Sequence, residues 1–255
     1  MKFGICTDVN GLTACIMEYF DYVELYFTSV MDLTPKKFNE LVENNRNLSI
    51  SIEAAIIRIP PFVKIVASKN DYDFALFYFE KCLERARKLN ISKITIGSGD
   101  ARTADLDNKY EYDMLCSFFL DIDRLCSDYQ YRIGIEAISK NMCSTFTTIQ
   151  SIESFICSSG LKNIGVTIDL FHMYENGDDI CEIAKMHSLY HVHLCNPINR
   201  ELPVKYDRQP YGRIFNFLKK NNYIDGISIE STSKDFNNAI CNSIIFIRTI
   251  FNNSR

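Results

Sequence analysis

Four apolar runs in the second half of the chain each stop at a residue able to bind a metal ion or move a proton. Ile133-Gly134-Ile135 runs into Glu136, and Val166-Thr167-Ile168 into Asp169, with His172 three positions on. Tyr190-His191-Val192 runs into His193, and Ile227-Ser228-Ile229 into Glu230. Carboxylates and imidazoles ligate divalent cations and pass protons to and from carbon or oxygen. Three carboxylates gathered at one point repel strongly at low dielectric, so a positive charge must sit among them or some must be protonated. A divalent cation held by Glu136, Asp169, His193 and Glu230 resolves that conflict. Mostly oxygen donors suit Mn²⁺ or Mg²⁺, the imidazole shifts the choice toward Mn²⁺, Co²⁺ or Zn²⁺, and zinc accepts carboxylate and histidine together. Singly, each residue has a plainer use. Glu136 can be a loop or capping residue, Asp169 can cap the next helix, and His193 can satisfy a backbone group. Strand alternation also puts His191 on the same face as His193, so His191 can be the inward one. Helix caps and core packing do not predict such residues at four consecutive strand ends.

Such ends need a scaffold that aims them at one place. Short β-branched or apolar runs recur along the whole chain, at Phe3–Cys6, Tyr22–Tyr26, Leu48–Glu53, Lys93–Ile96, Arg132–Glu136, Ile164–Asp169, Leu189–Leu194 and Gly226–Glu230. They have the composition of parallel strands covered on both faces. Helical patterns lie between them. Residues 71–89 repeat Phe74, Phe77, Cys82, Ala86 and Leu89, with Asn90 placed to end the helix. Residues 110–126 carry Met114, Leu115, Phe118, Ile122 and Leu125, and residues 235–250 repeat Ile240, Ile244 and Ile247. Strands alternating with helices imply parallel pairing through right-handed crossovers. Eight such units in 255 residues predict an α/β fold, a (β/α)8 TIM barrel in one domain spanning residues 1–255. In that fold the carboxyl ends of the strands face the site. An open doubly wound sheet would want a glycine fingerprint after the first strand, and Gly4 stands alone there.

Composition narrows the partners. With 28 Lys plus Arg against 32 Asp plus Glu, the formal net charge is −4, which leaves no basic excess for a nucleic-acid backbone. A hydrophobic fraction of 47% with 24% charged residues excludes a disordered chain. The ten cysteines are scattered and form no Cys-x-x-Cys pair, so they read as reduced thiols packed as small hydrophobes. The start of the chain reaches Asp8 too soon for a signal peptide, and nowhere do about 18 uncharged apolar residues run together. The expectation is a cytoplasmic protein that binds a small molecule and neither nucleic acid nor membrane.

The chain resembles the xylose isomerase-like TIM-barrel superfamily, in particular its sugar phosphate isomerase/epimerase branch of ketose 3-epimerases and hydroxypyruvate isomerase-like proteins. Gly97-Ser98-Gly99-Asp100-Ala101-Arg102 is similar to the branch's Gly-Ser-Gly…Arg motif after strand four. Asp169-Leu170-Phe171-His172 matches its Asp-x-x-His, His191-Val192-His193 its His-Val-His, and Ile229-Glu230 its closing glutamate. Asn199-Arg200-Glu201-Leu202-Pro203 resembles its Asn-Arg-x-x-Pro segment. The resemblance covers nearly the whole chain, and the order and spacing of the motifs carry it.

The resemblance implies a sugar isomerase or epimerase that depends on a divalent metal, Mn²⁺ in the first place. Glu136, Asp169, His193 and Glu230 would hold the cation, while Glu136 and Glu230 would also move protons through an enediolate. His172 and Arg200 would contact substrate oxygens, and Glu53 and Arg102 are further candidate substrate contacts. Assembly as a homodimer or homotetramer is also implied. Two segments depart from the pattern. Where ketose 3-epimerases carry another glutamate after strand five, this chain reads Ser139-Lys140-Asn141-Met142-Cys143. The glycine-rich stretch expected after Pro203 is replaced by Val204-Lys205-Tyr206-Asp207-Arg208. With Lys140 and Arg102 nearby, these changes admit a phosphorylated or carboxylated sugar, although both can be solvated loop charges. Gly97-Ser98-Gly99 can cradle phosphate or simply turn the chain. Three alternatives stay open: a dehydratase of an inositol-type keto sugar, an endonuclease-IV-like metal hydrolase, and a barrel that binds a sugar without converting it. The hydrolase needs more histidines than the four present, and Asp207 lacks the Asp-x-His context.

Overall fold

Eight runs of residues buried on both faces can be satisfied only if every strand has two neighbours, and the chain achieves this by closing on itself. The computed structural model describes residues 1–205, 209–233 and 236–254. Its strands are β1 (Phe3–Thr7), β2 (Tyr22–Tyr26), β3 (Ser51–Ile57), β4 (Lys93–Ile96), β5 (Ile133–Glu136), β6 (Ile164–Asp169), β7 (Leu189–Leu194) and β8 (Ile227–Ile229). They form a closed barrel in sequence order, every pair parallel, with β8 returning to β1 through Phe3 opposite Ile227. Helices follow the strands and cover the barrel, so the fold is the (β/α)8 barrel that the alternation predicts. Among the described residues no helix is long and apolar enough to cross a membrane.

The helices owe their ends to local chemistry. Ser68 accepts a hydrogen bond from the Asp71 amide to start Lys69–Lys88, and Asn90 takes a left-handed φ of 57° just beyond its end. Thr148 and Ser151 form a reciprocal capping box at the head of Ile149–Ser159. The stripe expected on the first of these helices holds at Cys82, Ala86 and Leu89, which are buried, and is corrected at Phe74 and Phe77, which are exposed. Tyr72, Ala75, Phe79 and Leu83 complete the core face in their place. They keep unbroken three- and four-residue steps, whereas the jump from Phe77 to Cys82 leaves the face. Lys109–Tyr129 buries Leu115, Phe118 and Ile122 as expected, and the last helix, Phe236–Asn253, buries Ile240, Ile244 and Ile247. Asp235, expected to begin it, lies outside the described residues, as do Asp207 and Arg208 of the altered loop.

The third strand is the main correction. The alternation Leu48-Ser49-Ile50-Ser51-Ile52-Glu53 suggests a strand ending at Glu53, but β3 runs to Ile57. A barrel strand must be covered on both faces, and Ala54, Ala55, Ile56 and Ile57 meet that demand with no exposure at all. This shift puts Glu53 near the amino end of its strand and brings Arg58 to the carboxyl end. The barrel interior is unusually polar for its upper half. Glu24, Thr95, Thr167, His191, His193 and Ser228 are all fully buried there. Near the floor the ring of Tyr22 fills the lumen, with its hydroxyl 2.8 Å from Ser228 Oγ. Gly4 makes the room, since a Cβ there would stand 2.3 Å from that ring.

Candidate active site

His193, near the carboxyl end of β7, is the hub of the site. Its Nδ1 lies 3.1 Å from Glu136 Oε1 and 3.2 Å from Glu230 Oε2, and its Nε2 lies 3.2 Å from Glu24 Oε1. Ligand atoms from Glu136, Asp169, His193 and Glu230 all fall within 4.8 Å of one another, and all four residues are buried. β5 and β8 flank the β6–β7 pair, so the two glutamates reach the centre from either side.

Asp169 serves the helix and the site together. Its Oδ1 accepts hydrogen bonds from the Phe171 amide at 2.8 Å and the His172 amide at 3.4 Å, which caps Leu170–Asn176. Its Oδ2 accepts from Arg200 Nη2 at 2.7 Å. The same Nη2 is 2.9 Å from Glu230 Oε2, while Nη1 is 3.2 Å from His172 Nε2. Arg200 adopts a left-handed backbone, φ 57°, in the loop after β7, and its guanidinium lies 5.1 Å above the Phe171 ring.

Burial and charge pull these groups apart in acidity. Burial pushes the Asp169 carboxyl up to about 6 despite the Arg200 charge. Burial would also raise Glu136 and Glu230, but hydrogen bonding to His193 and its charge bring Glu136 net below its ordinary value and, with Arg200 and Arg58 adding to the effect, Glu230 well below it. Burial opposes a charge on His193, yet Glu24, Glu136 and Glu230 together hold its imidazole well above the usual value. The positive charge that the three carboxylates require is therefore present on His193 and Arg200. A cation can join this set only by displacing the His193 proton and drawing Arg200 aside. The donor set of three oxygens and one nitrogen, buried and within the compass of an ion whose ligands sit about 2.1 Å away, fits a divalent metal.

Above the cluster opens a cavity of about 300 Å³, lined by Arg58, Ser98, Glu136, Ile138, His172 and Arg200 among others. The described residues hold one other candidate trio, Cys6, Glu24 and His193, and it shares His193 with the first.

Two residues of the centre escape the sequence reading. Glu24 lies mid-strand in β2, where an acid inside Tyr22-Val23-Glu24-Leu25-Tyr26 was the available signal. Arg58, 3.4 Å from Glu230 Oε1 and stacked 5.6 Å over Tyr26, follows directly on the correct end of β3. Two expected substrate contacts are elsewhere. Glu53 sits at the opposite mouth, where Lys2 Nζ donates to it at 2.7 Å and Ser51 Oγ at 2.6 Å. Arg102 is buried beside β5, donating from Nη2 to the Glu136 carbonyl at 2.6 Å, and is not among the residues that line the cavity. Lys140 is exposed. The turn at Gly97–Gly99 is a local brace: Ser98 has φ 61° and its Oγ accepts from the Ile59 amide at 2.7 Å. Both His191 and His193 point into the barrel, His191 one layer below, with Nε2 2.8 Å from Glu24 Oε2.

A family model described as "Xylose isomerase-like TIM barrel" matches residues 18–248. No functionally curated protein matches the chain. Among solved structures, a D-psicose 3-epimerase with D-tagatose from Clostridium cellulolyticum H10 superposes with a TM-score of 0.80 at 18% identity, covering 100% of this chain and 93% of that one. The apo 3-keto-D-glucoside 4-epimerase from E. coli gives 0.83 at 17% identity, covering 98% and 99%. An L-ribulose 3-epimerase gives 0.84 at 15% identity, covering 100% and 95%. At such identities the likeness is one of fold.

Proposed function

This chain belongs to the xylose isomerase-like TIM-barrel family, and from that premise we propose that it is a divalent-metal-dependent isomerase or epimerase of a sugar or sugar derivative, working by proton transfer through an enediolate. The observation that carries this reading is the buried convergence of Glu136, Asp169, His193 and Glu230 beneath an open cavity. When bound, the cation would supply positive charge to a substrate carbonyl and its neighbouring hydroxyl as negative charge builds on them. Mn²⁺ suits three carboxylates and one imidazole best, with Mg²⁺, Co²⁺ and Zn²⁺ as the other acceptable ions.

The protein's own groups do the rest. Glu136 and Glu230, rooted on strands at either side of the centre, would take a proton from the carbon beside the carbonyl and return one to another face or atom. His172 and Arg200 line the cavity and would fix substrate oxygens. The solved neighbours are named for keto sugars, which supports that substrate class. The free thiols of the nine described cysteines suit a reducing cytoplasm. Exposed Phe62, Phe74 and Phe77 support a homodimer or homotetramer, which light scattering would detect.

Incubating the metal-loaded protein with ketose and aldose panels in deuterated water is the decisive experiment. Deuterium should enter the carbon next to the carbonyl, and its absence across a broad panel overturns the reading.

Two smaller predictions come from the geometry. A Cβ on Gly97 would stand 2.8 Å from Glu136 Oε2. Gly97→Ala should therefore displace that carboxylate and lower turnover roughly 10- to 100-fold while the fold survives, since small misplacements of reacting groups cost that much. Circular dichroism and steady-state rates read the two effects separately. Glu53→Ala, by contrast, should leave turnover unchanged and cost less than about 1 kcal/mol in denaturant titration, because it breaks a partly exposed ion pair with Lys2 and a hydrogen bond from the exposed Ser51. A large loss of turnover would return Glu53 to the substrate site.

A further inference from the structure

Nothing in the proton transfer just described uses Glu24, yet it is a fully buried acid at the centre of the barrel. Strand alternation turns it inward from β2, and each of its oxygens meets one histidine. Oε2 lies 2.8 Å from His191 Nε2, and Oε1 lies 3.2 Å from His193 Nε2. An ionised carboxylate only accepts hydrogen bonds, so both Nε2 atoms must carry hydrogen. The opposite nitrogen of His193, Nδ1, faces Glu136 and Glu230 at 3.1 and 3.2 Å. The imidazole is thus contested. Two carboxylates at the mouth can hold its proton on Nδ1, and one from below can hold it on Nε2. Only the second arrangement leaves the Nδ1 lone pair pointing into the cluster.

We propose that Glu24 is the positioning residue of this centre, acting through His193: it keeps the ring's proton on Nε2 so that Nδ1 is free to ligate the cation. His191 is part of the same device. By donating to Oε2 while Ser228 Oγ stands 3.2 Å from its own Nε2, it pins the Glu24 carboxylate in one rotamer beneath His193. This gives the first histidine of His191-Val192-His193 a task one layer beneath the reaction. The inference rests on the metal-dependent reading above. A carboxylate behind a ligating histidine fixes ring orientation and raises ligand basicity, and losing such a partner typically weakens metal binding 10- to 100-fold.

The test is calorimetric titration of Mn²⁺ into metal-stripped wild type and Glu24→Gln. Glutamine keeps the volume but can accept from only one imidazole through its carbonyl oxygen, so the Mn²⁺ dissociation constant should rise 10- to 100-fold. Equal constants in wild type and variant overturn the assignment while leaving the metal reading standing. A wild type that takes up no Mn²⁺ overturns both. Because Glu24→Gln can also fail to fold, wild type alone supplies a second measurement. In Zn²⁺-loaded, ¹⁵N-labelled protein, His193 should show hydrogen retained on Nε2 and a metal-shifted Nδ1. Hydrogen on Nδ1, or ligation through Nε2, overturns the proposal whatever the variant does.

Discussion

Glu136→Gln is expected to lower turnover by 10² to 10⁴, the usual worth of a positioned proton-transfer group, and Glu230→Gln by a similar factor. Glutamine preserves the shape of either side chain and can still offer an oxygen toward a cation, but it cannot take up a proton. The two variants should differ in a second respect. Glu230 is paired with His193, Arg200 and Arg58, which hold its carboxyl down, so Glu230→Gln removes the negative charge that gathers three cationic side chains. Among the described residues Glu136 has one such ion-pair partner, His193. Metal uptake should therefore suffer more in Glu230→Gln. Deuterium exchange into substrate, measured with metal content on the same sample, separates loss of proton transfer from loss of the ion. Unchanged exchange in either variant would remove that residue from the chemistry.

Chelation is expected to abolish turnover and Mn²⁺ to restore it, with uptake steeply dependent on pH. In the cation-free protein the His193 proton is held well above its ordinary range, so the ion must expel it. Asp169, pushed up to about 6 by burial, must be ionised as well. The sign follows from both. Through neutral pH, where only His193 competes, affinity should fall about tenfold per unit as the solution is acidified. Below about pH 6, Asp169 also binds a proton, and the loss should approach a hundredfold per unit. Titration in buffers of different ionisation enthalpy counts the protons released, and pH-independent uptake would contradict the charge assignment. The same titration gives the stoichiometry. About one ion per chain fits the single four-donor cluster among the described residues, while two or three would favour the hydrolase.

The strand ends that carry the four donors were legible because β5 to β8 are buried on both faces, so each reads as a short, mostly apolar run with a carboxylate or imidazole at or beside its carboxyl end. Burial on two sides leaves a near-continuous run, in which Thr167, His191 and Ser228 are interruptions that face the polar lumen and the ionisable residue at the end stands out. β3 misled for the same reason in reverse. The residues leading into it alternate like a half-exposed strand through Glu53, so the run Ala54–Ile57 that the barrel buries falls outside the expected strand. Placing that end four residues early pointed to Glu53 and hid Arg58. Glu24 was hidden differently. Inward-facing acids are rare in barrel cores, and what makes this one tolerable is a pair of histidines more than 160 positions away in sequence. Only closure brings them within reach. Arg102 shows the converse limit, because a motif fixes an arginine's place in the chain but not whether it turns toward the cavity or, as here, toward the backbone carbonyl of Glu136.

Asp169 divides its two oxygens between the amides that begin Leu170–Asn176 and the guanidinium of Arg200. That division welds reactivity to architecture. Lengthening the side chain to glutamate would keep a donor of the same kind but carry it past the amides, so the helix bearing His172 would lose its anchor in the same stroke. The position is closed to gradual tuning, and any new specificity that this scaffold acquires must be written into the freer rim around it.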